Sequence, residues 1–462
     1  MSVNHQGLRK TNELFTNTTL KWAALMLLAN LCASTFQAFR YVIMIGRKSG
    51  FRVLLCLSTL VFTTTALGGG LYVTEFGQPS MGASGAGWSV LAEDASTGVG
   101  NPAGIFQLDS DSEWMLTGMY VSPSNEFRAE LGTTIPGNDG GDAGEVAVGG
   151  SVFHARKLSD KWALGVGLNS VSAAALDYDD GFVGRHWAEK VELLTVTATA
   201  NLAYKVNDTF AMAVGIPMMF GSLDLDVAIP PLMGPVTPDR DGLARVSEGT
   251  DFSATIGMSF YWKVNPETSL SLTYLGENEL NFDGDLEITL PGVGGGTTVS
   301  DIDVNVKIPF AQSLIFSAAR DISDRTTLLA TVHWEDWSTL DEVLISTSMG
   351  GAPLTYDWDD TYKFALGLRR RGNGPWTYYT GIAFDTDPTS ADRRSADLPI
   401  DRQWRLSLGA SYELASGKTV NGSLTYADFG DARIENANGG GTVIGEYSTN
   451  RIIFVGFSVN WH

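Results

Sequence analysis

Over most of the chain, apolar and polar positions change places at every residue. Leu194, Val196, Ala198, Ala200, Leu202 and Tyr204 alternate with Thr195, Thr197, Thr199, Asn201, Ala203 and Lys205. Trp404, Leu406, Leu408, Ala410 and Tyr412 alternate with Arg405, Ser407, Gly409, Ser411 and Glu413. The last residues repeat the pattern, with Ile453, Val455, Phe457, Val459 and Trp461 set against Phe454, Gly456, Ser458 and Asn460. A strand turns successive side chains to opposite faces. This period therefore predicts strands with one face in an apolar medium and the other in a polar or small-residue interior. From residue 113 onward it predicts about fourteen strands, at 113–122, 144–157, 161–173, 191–206, 209–222, 246–264, 267–288, 300–320, 325–347, 353–371, 376–386, 402–414, 418–434 and 447–461.

The connections alternate as well. Short turns rich in Asn, Asp, Ser, Gly and Pro fall at 157–161, 206–209, 264–268, 321–326, 371–376 and 414–418, and these are the residues tight turns require. Longer polar or glycine-rich segments lie between them, near 123–143, 177–190, 223–245, 289–299, 387–401 and 435–446, with a brief one at 348–352. An even strand count with short turns at one end and long loops at the other marks an outer-membrane barrel. Closure removes the unpaired edges that so many strands would otherwise expose. A soluble β-sandwich or propeller is the competing arrangement, but no repeat of blade length occurs. Trp162, Tyr204, Trp262, Trp334, Trp404 and Trp461 lie near strand ends, where amphipathic rings anchor a barrel at the bilayer interface. The expected fold is all-β, a 14-stranded antiparallel transmembrane β-barrel over residues 113–462.

Composition agrees with this reading. Charged residues are 18% of the chain, below the ~25% usual for soluble domains. The 52 glycines and 10% aromatics suit strands and turns. A net charge of −21 leaves no basic face for nucleic acid. Two apolar runs, 23–39 and 53–62, precede the strands. The second follows Arg47, Lys48 and Arg52 and leads to small residues Ala66 and Gly68, the layout of a signal peptide. With Met44 as its start, residues 44–68 are expected to be the signal peptide and residues 1–43 an over-long start. The alternative is two transmembrane helices, for which both runs fall short of the ~20 residues a span needs. Both cysteines, Cys32 and Cys56, lie in this region, so the remainder owes nothing to disulfides.

Catalytic chemistry is not indicated. His5, His154, His186, His333 and His462 show no metal-ligand spacing, and no G-x-S-x-G elbow occurs. No enzyme activity, metal or cofactor is expected. The stretch 93–105, EDASTGVGNPAGI, contains G-x-G-x-x-A. A dinucleotide loop must follow a buried strand and open a helix. Here Pro102 holds Asn101 extended and antiparallel strands follow. Along the third strand Trp162, Leu164, Val166 and Leu168 alternate, and the pattern is then lost over SVSAAAL. Ser172, Ala173, Ala174 and Ala175 mark either a bulge that redirects the strand or a frayed strand end. Strand parity turns Lys363, Arg369 and Arg405 toward the lumen, since a charge facing lipid costs ~2–4 kcal/mol at the midplane. They either balance acids such as Glu335 and Asp359 or pair with a ligand carboxylate.

Residues 69–105, GGLYVTEFGQPSMGASGAGWSVLAEDASTGVGNPAGI, resemble the N-terminal plug of the FadL family, which takes up long-chain fatty acids and aromatic hydrocarbons across the outer membrane. GFVGRHWA (181–188), LAYKVNDTFAMAVGIPM (202–218), HWEDWS (333–338), WDDTYKFALGLRRR (358–371) and LPIDRQWRLSLGASYEL (398–414) resemble further segments in family order. The chain departs at its end, where His462 follows Trp461 in place of a terminal aromatic residue. The resemblance implies a small plug at 69–112 inside the barrel. It also implies ligand capture outside, a greasy pocket and sideways exit into the membrane at a kink in the third strand. By resemblance, Leu71, Tyr72 and Phe76 reach the pocket. Arg185, with Lys363, Arg369 and Arg405, is a candidate ligand contact; Asn101, Pro102, Ala103 and Gly104 form part of the gate; Ser172–Ala175 form the exit. The implied partners are a long-chain fatty acid or another hydrophobic small molecule, outer-membrane lipid and lipopolysaccharide, and the barrel-assembly machinery during biogenesis. The protein is expected to be a monomer in the outer membrane with both termini in the periplasm. A structural or adhesive barrel is the other reading, but such a barrel has no need of a 40-residue glycine-rich insert.

Overall fold

The computed structural model describes residue 72 and residues 74–462, apart from 232, 291–296, 349 and 439. The expected leader, residues 1–68, and Leu71 lie outside the described residues. Among the described residues the strand segments group into fourteen: β1 (Ser112–Ala129), β2 (Ala147–Lys157), β3 (Trp162–Asp177), β4 (Lys190–Lys205) and β5 (Phe210–Ile229) come first. Five interrupted or extended strands follow: β6 (Gly242–Ala254, then Gly257–Asn265), β7 (Thr268–Leu275, then Asn278–Leu290), β8 (Thr297–Phe310, then Ser313–Ser323), β9 (Thr326–Glu335, then Glu342–Thr347) and β10 (Gly350–Thr355, then Thr361–Arg371). β11 (Trp376–Asp385), β12 (Gln403–Glu413), β13 (Thr419–Asp428, then Ile434–Asn438) and β14 (Gly441–Trp461) complete the set. Each is antiparallel to its neighbours, and β14 pairs with β1 from Trp114↔Trp461 upward, which closes the barrel.

The period of two in the sequence becomes an inside and an outside. Along β10, Thr361, Lys363, Ala365 and Arg369 are buried while Tyr362, Phe364, Leu366 and Leu368 are exposed. Along β12, Gln403, Arg405 and Ser407 are buried and Trp404, Leu406 and Leu408 exposed. Aromatic and aliphatic side chains therefore form the outer surface, as a bilayer demands. The short turns share one end. In that after β4, the Asn207 side chain accepts the N–H groups of Thr209 and Phe210, both at 2.9 Å.

Residues 74–111 fill the lumen as a plug with three short helical turns, Pro79–Ala83, Thr97–Gly100 and Pro102–Gln107. Glycine lets backbone meet backbone: a Cβ on Gly82 would lie 2.6 Å from the Gly409 Cα of β12. The GVGNPAG stretch has no nucleotide-loop geometry. Asn101 is extended (φ −159°) and its side chain accepts the Ala103 N–H at 3.1 Å. It also donates to the carbonyls of Ser89 (2.8 Å) and Phe260 on β6 (3.1 Å). Pro102 starts the next turn, where its missing N–H costs nothing.

Among the described residues the ladder of the wall has two marked interruptions. β2 and β3 pair from Lys157↔Ala163 to Val152↔Leu168 and no further. Beyond that point β3 pairs only with β4, through a register shift between Ser170 and Ser172, until an isolated bridge joins Gly144 to Leu176. The second irregularity is a crease. β6 to β10 are each interrupted at one level, between their two segments.

Candidate functional site

A cavity lies between the plug and the wall formed by β3 to β9. The apolar start of the plug forms part of its lining. Tyr72 is fixed by its hydroxyl, which donates to the Ala311 carbonyl at 2.6 Å, and by its ring, 5.1 Å from that of Trp337. Phe76 packs on Trp88 at 5.6 Å. Pro102 reaches the cavity, whereas Asn101, Ala103 and Gly104 stand behind it and hold the plug together. Five buried polar atoms on this lining have no hydrogen-bond partner among the described residues: Trp88 Nε1, Asn169 Oδ1, Thr197 Oγ1, Ser259 Oγ and His333 Nε2. Buried polar atoms are ordinarily satisfied, so five orphans around one space suit it to a guest with some polar character. All five are uncharged donors or acceptors in an otherwise apolar chamber.

A second, smaller cavity sits nearer the long loops and is lined by Ala174, Leu193, Leu223, Ile308, Leu340 and Tyr356, among others. Asp397 borders it and accepts a hydrogen bond from the Tyr356 hydroxyl. Burial pushes the Asp397 carboxyl above the ordinary range. The unpaired run of β3 joins the two chambers, since Asn169 lines the inner one and Ala174 the outer. Of the expected exit residues, Ala174 is buried, and Ser172 directly follows the register shift. Ala173 and Ala175 pair with Leu194 and Glu192 on β4.

The expected basic ligand contacts lie elsewhere. None of Arg185, Lys363, Arg369 and Arg405 lines the inner chamber, and protein groups already hold each of them. Arg405 is fully buried, with Nε 3.2 Å from the Glu75 carboxylate of the plug, a further ion pair to Asp385, and Nη2 donating to Gln403 at 2.7 Å. Lys363 donates to the Thr74 hydroxyl at 2.9 Å. Arg369 pairs with Glu93 of the plug at the short-turn end and donates to Thr327 at 2.6 Å. Arg185 lies among the long loops, 2.6 Å from Asp241 and donating to the carbonyls of Pro136 and Phe182. Parity gives the face a charge occupies but not its partner, and a buried cation demands an anion close by. Burial pushes the Glu75 carboxyl up, but Arg405 and Lys363 outweigh it and hold it below the usual carboxylate range.

The orphan groups were not singled out from sequence. Their one visible signal is the run Thr195, Thr197, Thr199, Asn201 on the inward parity of β4, more polar than plug packing alone requires. Among the described residues no group of three His, Cys, Asp or Glu could hold a metal ion.

The family model described as "Outer membrane protein transport protein (OMPP1/FadL/TodX)" matches residues 59–461. The long-chain fatty acid transport protein of Escherichia coli O6:H1 is 21% identical over 403 residues, covering 80% of this chain and 90% of that protein. Among solved structures, a Pseudomonas aeruginosa FadL homologue superposes with a TM-score of 0.76 at 19% identity, covering 85% of this chain and 99% of that chain. The Pseudomonas putida toluene transporter TodX gives 0.65 at 16% identity, covering 87% and 99%. These likenesses fix the fold, a closed fourteen-stranded barrel. With the match across nearly the whole described chain, they place this protein in the OMPP1/FadL/TodX family of outer-membrane transport proteins.

Proposed function

We propose that this protein carries hydrophobic small molecules passively into the outer membrane. Cargo enters from the long-loop side, rests in the inner chamber against Tyr72 and Phe76, and leaves sideways where β2 and β3 part. The short-turn end, with the plug entrance and the chain end, faces the periplasm. The observation that carries this reading is Asn169. It is buried, its Oδ1 is unpartnered, it lines the chamber, and it is the first β3 residue beyond the last β2–β3 pair. The chamber and the break in the wall therefore share a residue. No step of chemistry is involved, and the protein acts as a channel rather than an enzyme.

Long-chain fatty acids are the first cargo class to test, because relatives carry that name. A second class is favoured by the chamber itself. Its lining holds no Lys or Arg, and the lumen cations are engaged elsewhere, Arg405 with Glu75 and Asp385, Lys363 with Thr74 and Arg369 with Glu93. Neutral donors and acceptors in an apolar space suit an uncharged hydrophobe such as an aromatic hydrocarbon at least as well. Labelled oleate and labelled toluene, offered side by side to a deletion strain with and without the gene restored, test both. Restored uptake of either supports transport and identifies the class. Equal uptake with and without the gene, for both cargoes, leaves only a structural barrel.

A further inference from the structure

The crease contains a second break, between β6 and β7. Their register runs from Asn265↔Thr268 to Gly257↔Leu275 and resumes at Thr250↔Asp283. Residues 251–256 and 276–282 thus face each other without a ladder. Two hydrogen bonds span the interval among the described residues: the Gly276 N–H to the Ile256 carbonyl (2.9 Å) and the Asn281 N–H to the Asp251 carboxylate (2.8 Å). Both strands keep their other neighbours, β6 with β5 and β7 with β8. β7 steps to the inside of β6 here. Its fully buried Leu280 and Phe282 reach Gly221 of β5, two strands away, where a Cβ would lie 2.5 Å from Leu280 Cδ1.

The other interruptions of the crease are filled. Where β8, β9 and β10 lose their pairing, the 3-10 turn Trp337–Thr339 occupies the interval. Its Trp337 is fully buried against Tyr72 and Trp358. Among the described residues no such insert lies between β6 and β7, and the inner chamber comes up to that interval. Thr255, Gly257, Gly276 and Asn278 at its lower edge line the chamber. So do Val214 and Met258, which sit at outward positions and are 47% and 40% exposed on the outer surface. The chamber therefore reaches side chains of the outer surface just below that interval.

We propose that the β6–β7 break is a second lateral opening into the cargo chamber, and that it passes uncharged hydrophobes in preference to carboxylates. The selectivity follows from its rim. Asp251, Glu277 and Glu279 border the interval, and among the described residues only Glu279 has a cation in contact, Lys307 at 2.8 Å. The β2–β3 break, bordered by residues 145–151 and 169–175, carries one charge, Glu145 at its upper end. An anionic head nearing the β6–β7 rim meets like charge, whereas a neutral hydrocarbon does not.

The inference rests on the transport reading above, and the test separates the two. In a Cys32→Ala, Cys56→Ala background, Ala254→Cys places a thiol at the exposed edge of the β6–β7 break, and Val148→Cys places one at the exposed edge of the β2–β3 break. Each is capped with a bulky maleimide, and uptake of labelled toluene and labelled oleate is measured in proteoliposomes. Capping at 254 is expected to lower toluene uptake severalfold and leave oleate nearly unchanged; capping at 148 is expected to lower both. Toluene uptake unaffected by capping at 254, alone or combined with 148, overturns the second opening. Equal loss of both cargoes from capping at 254 overturns its selectivity. Uptake of neither cargo by the uncapped protein is instead the failure of the transport reading.

Discussion

On the side of β10 and β12 the plug is held by charge, and on the side of β3 to β7 it is faced by space. The first side brings Glu75 to Arg405 and Thr74 to Lys363, with Asp385 and Gln403 completing a network in which every formal charge has a partner. The second side presents Asn169, Thr197 and Ser259 with polar atoms that nothing in the described chain satisfies. A buried network is costly when half made and rigid when complete. An apolar chamber with a few unmet polar groups is the usual form of a ligand site. On our proposal, one side fixes the plug and the other receives cargo. None of Lys363, Arg369 and Arg405 lines the space on the second side.

The largest effect that would break this contrast is expected at Arg405. Arg405→Ala leaves Glu75 and Asp385 buried without their cation and should cost about 3–5 kcal/mol. The readout is the temperature at which the folded barrel loses its heat-modifiable gel mobility. Adding Glu75→Gln and Asp385→Asn should recover part of the loss, because no carboxylate is then left without Arg405, while Lys363 keeps its hydrogen bond to Thr74. Unchanged melting of Arg405→Ala would mean that charge does not hold the plug.

Asn101→Ala comes next. It removes three hydrogen bonds, two of them to buried carbonyls, at about 0.5–1.5 kcal/mol each. The plug should loosen while the barrel stays folded. Planar-bilayer conductance should rise with the β signal in circular dichroism unchanged. Conductance equal to wild type would show that this residue does not hold the gate.

A smaller effect is expected from pH. Glu75 has a folded pKa below its unfolded value of about 4.3, so its contribution is fully present above the unfolded pKa. That contribution is lost as pH falls through the folded pKa. Melting temperature should therefore drop in strong acid, and Glu75→Gln should flatten that part of the profile. Identical acid profiles for the two proteins would remove Glu75 from the network's energetics.

Much of the fold was legible because parity is local. Trp404 against Arg405 and Phe364 against Lys363 already tell inside from outside, and the loss of alternation over SVSAAAL coincides with the register shift at Ser170/Ser172. The crease was not legible. Single strands over 246–264, 267–288 and 300–320 were expected, and the structure interrupts them at 255–256, 276–277 and 311–312. Alternation reports which face a side chain takes. It does not report whether a neighbouring strand is hydrogen-bonded to it, so lost pairing leaves no trace in the pattern. For the same reason nothing near Arg405 in sequence announces Glu75 as its partner; barrel closure and the plug path bring them together.

We propose that cargo leaves the chamber where β2 and β3 part. Gly150 and Ser170 flank that gap two positions beyond the last ladder pair, Val152↔Leu168. Gly150→Cys with Ser170→Cys, in the Cys32→Ala, Cys56→Ala background, puts a reversible staple across it. With the disulfide formed, uptake of labelled oleate into proteoliposomes should fall to the level of empty vesicles, and reductant should restore it. Equal uptake in the stapled and reduced states, with the staple verified by mass spectrometry, would contradict the account.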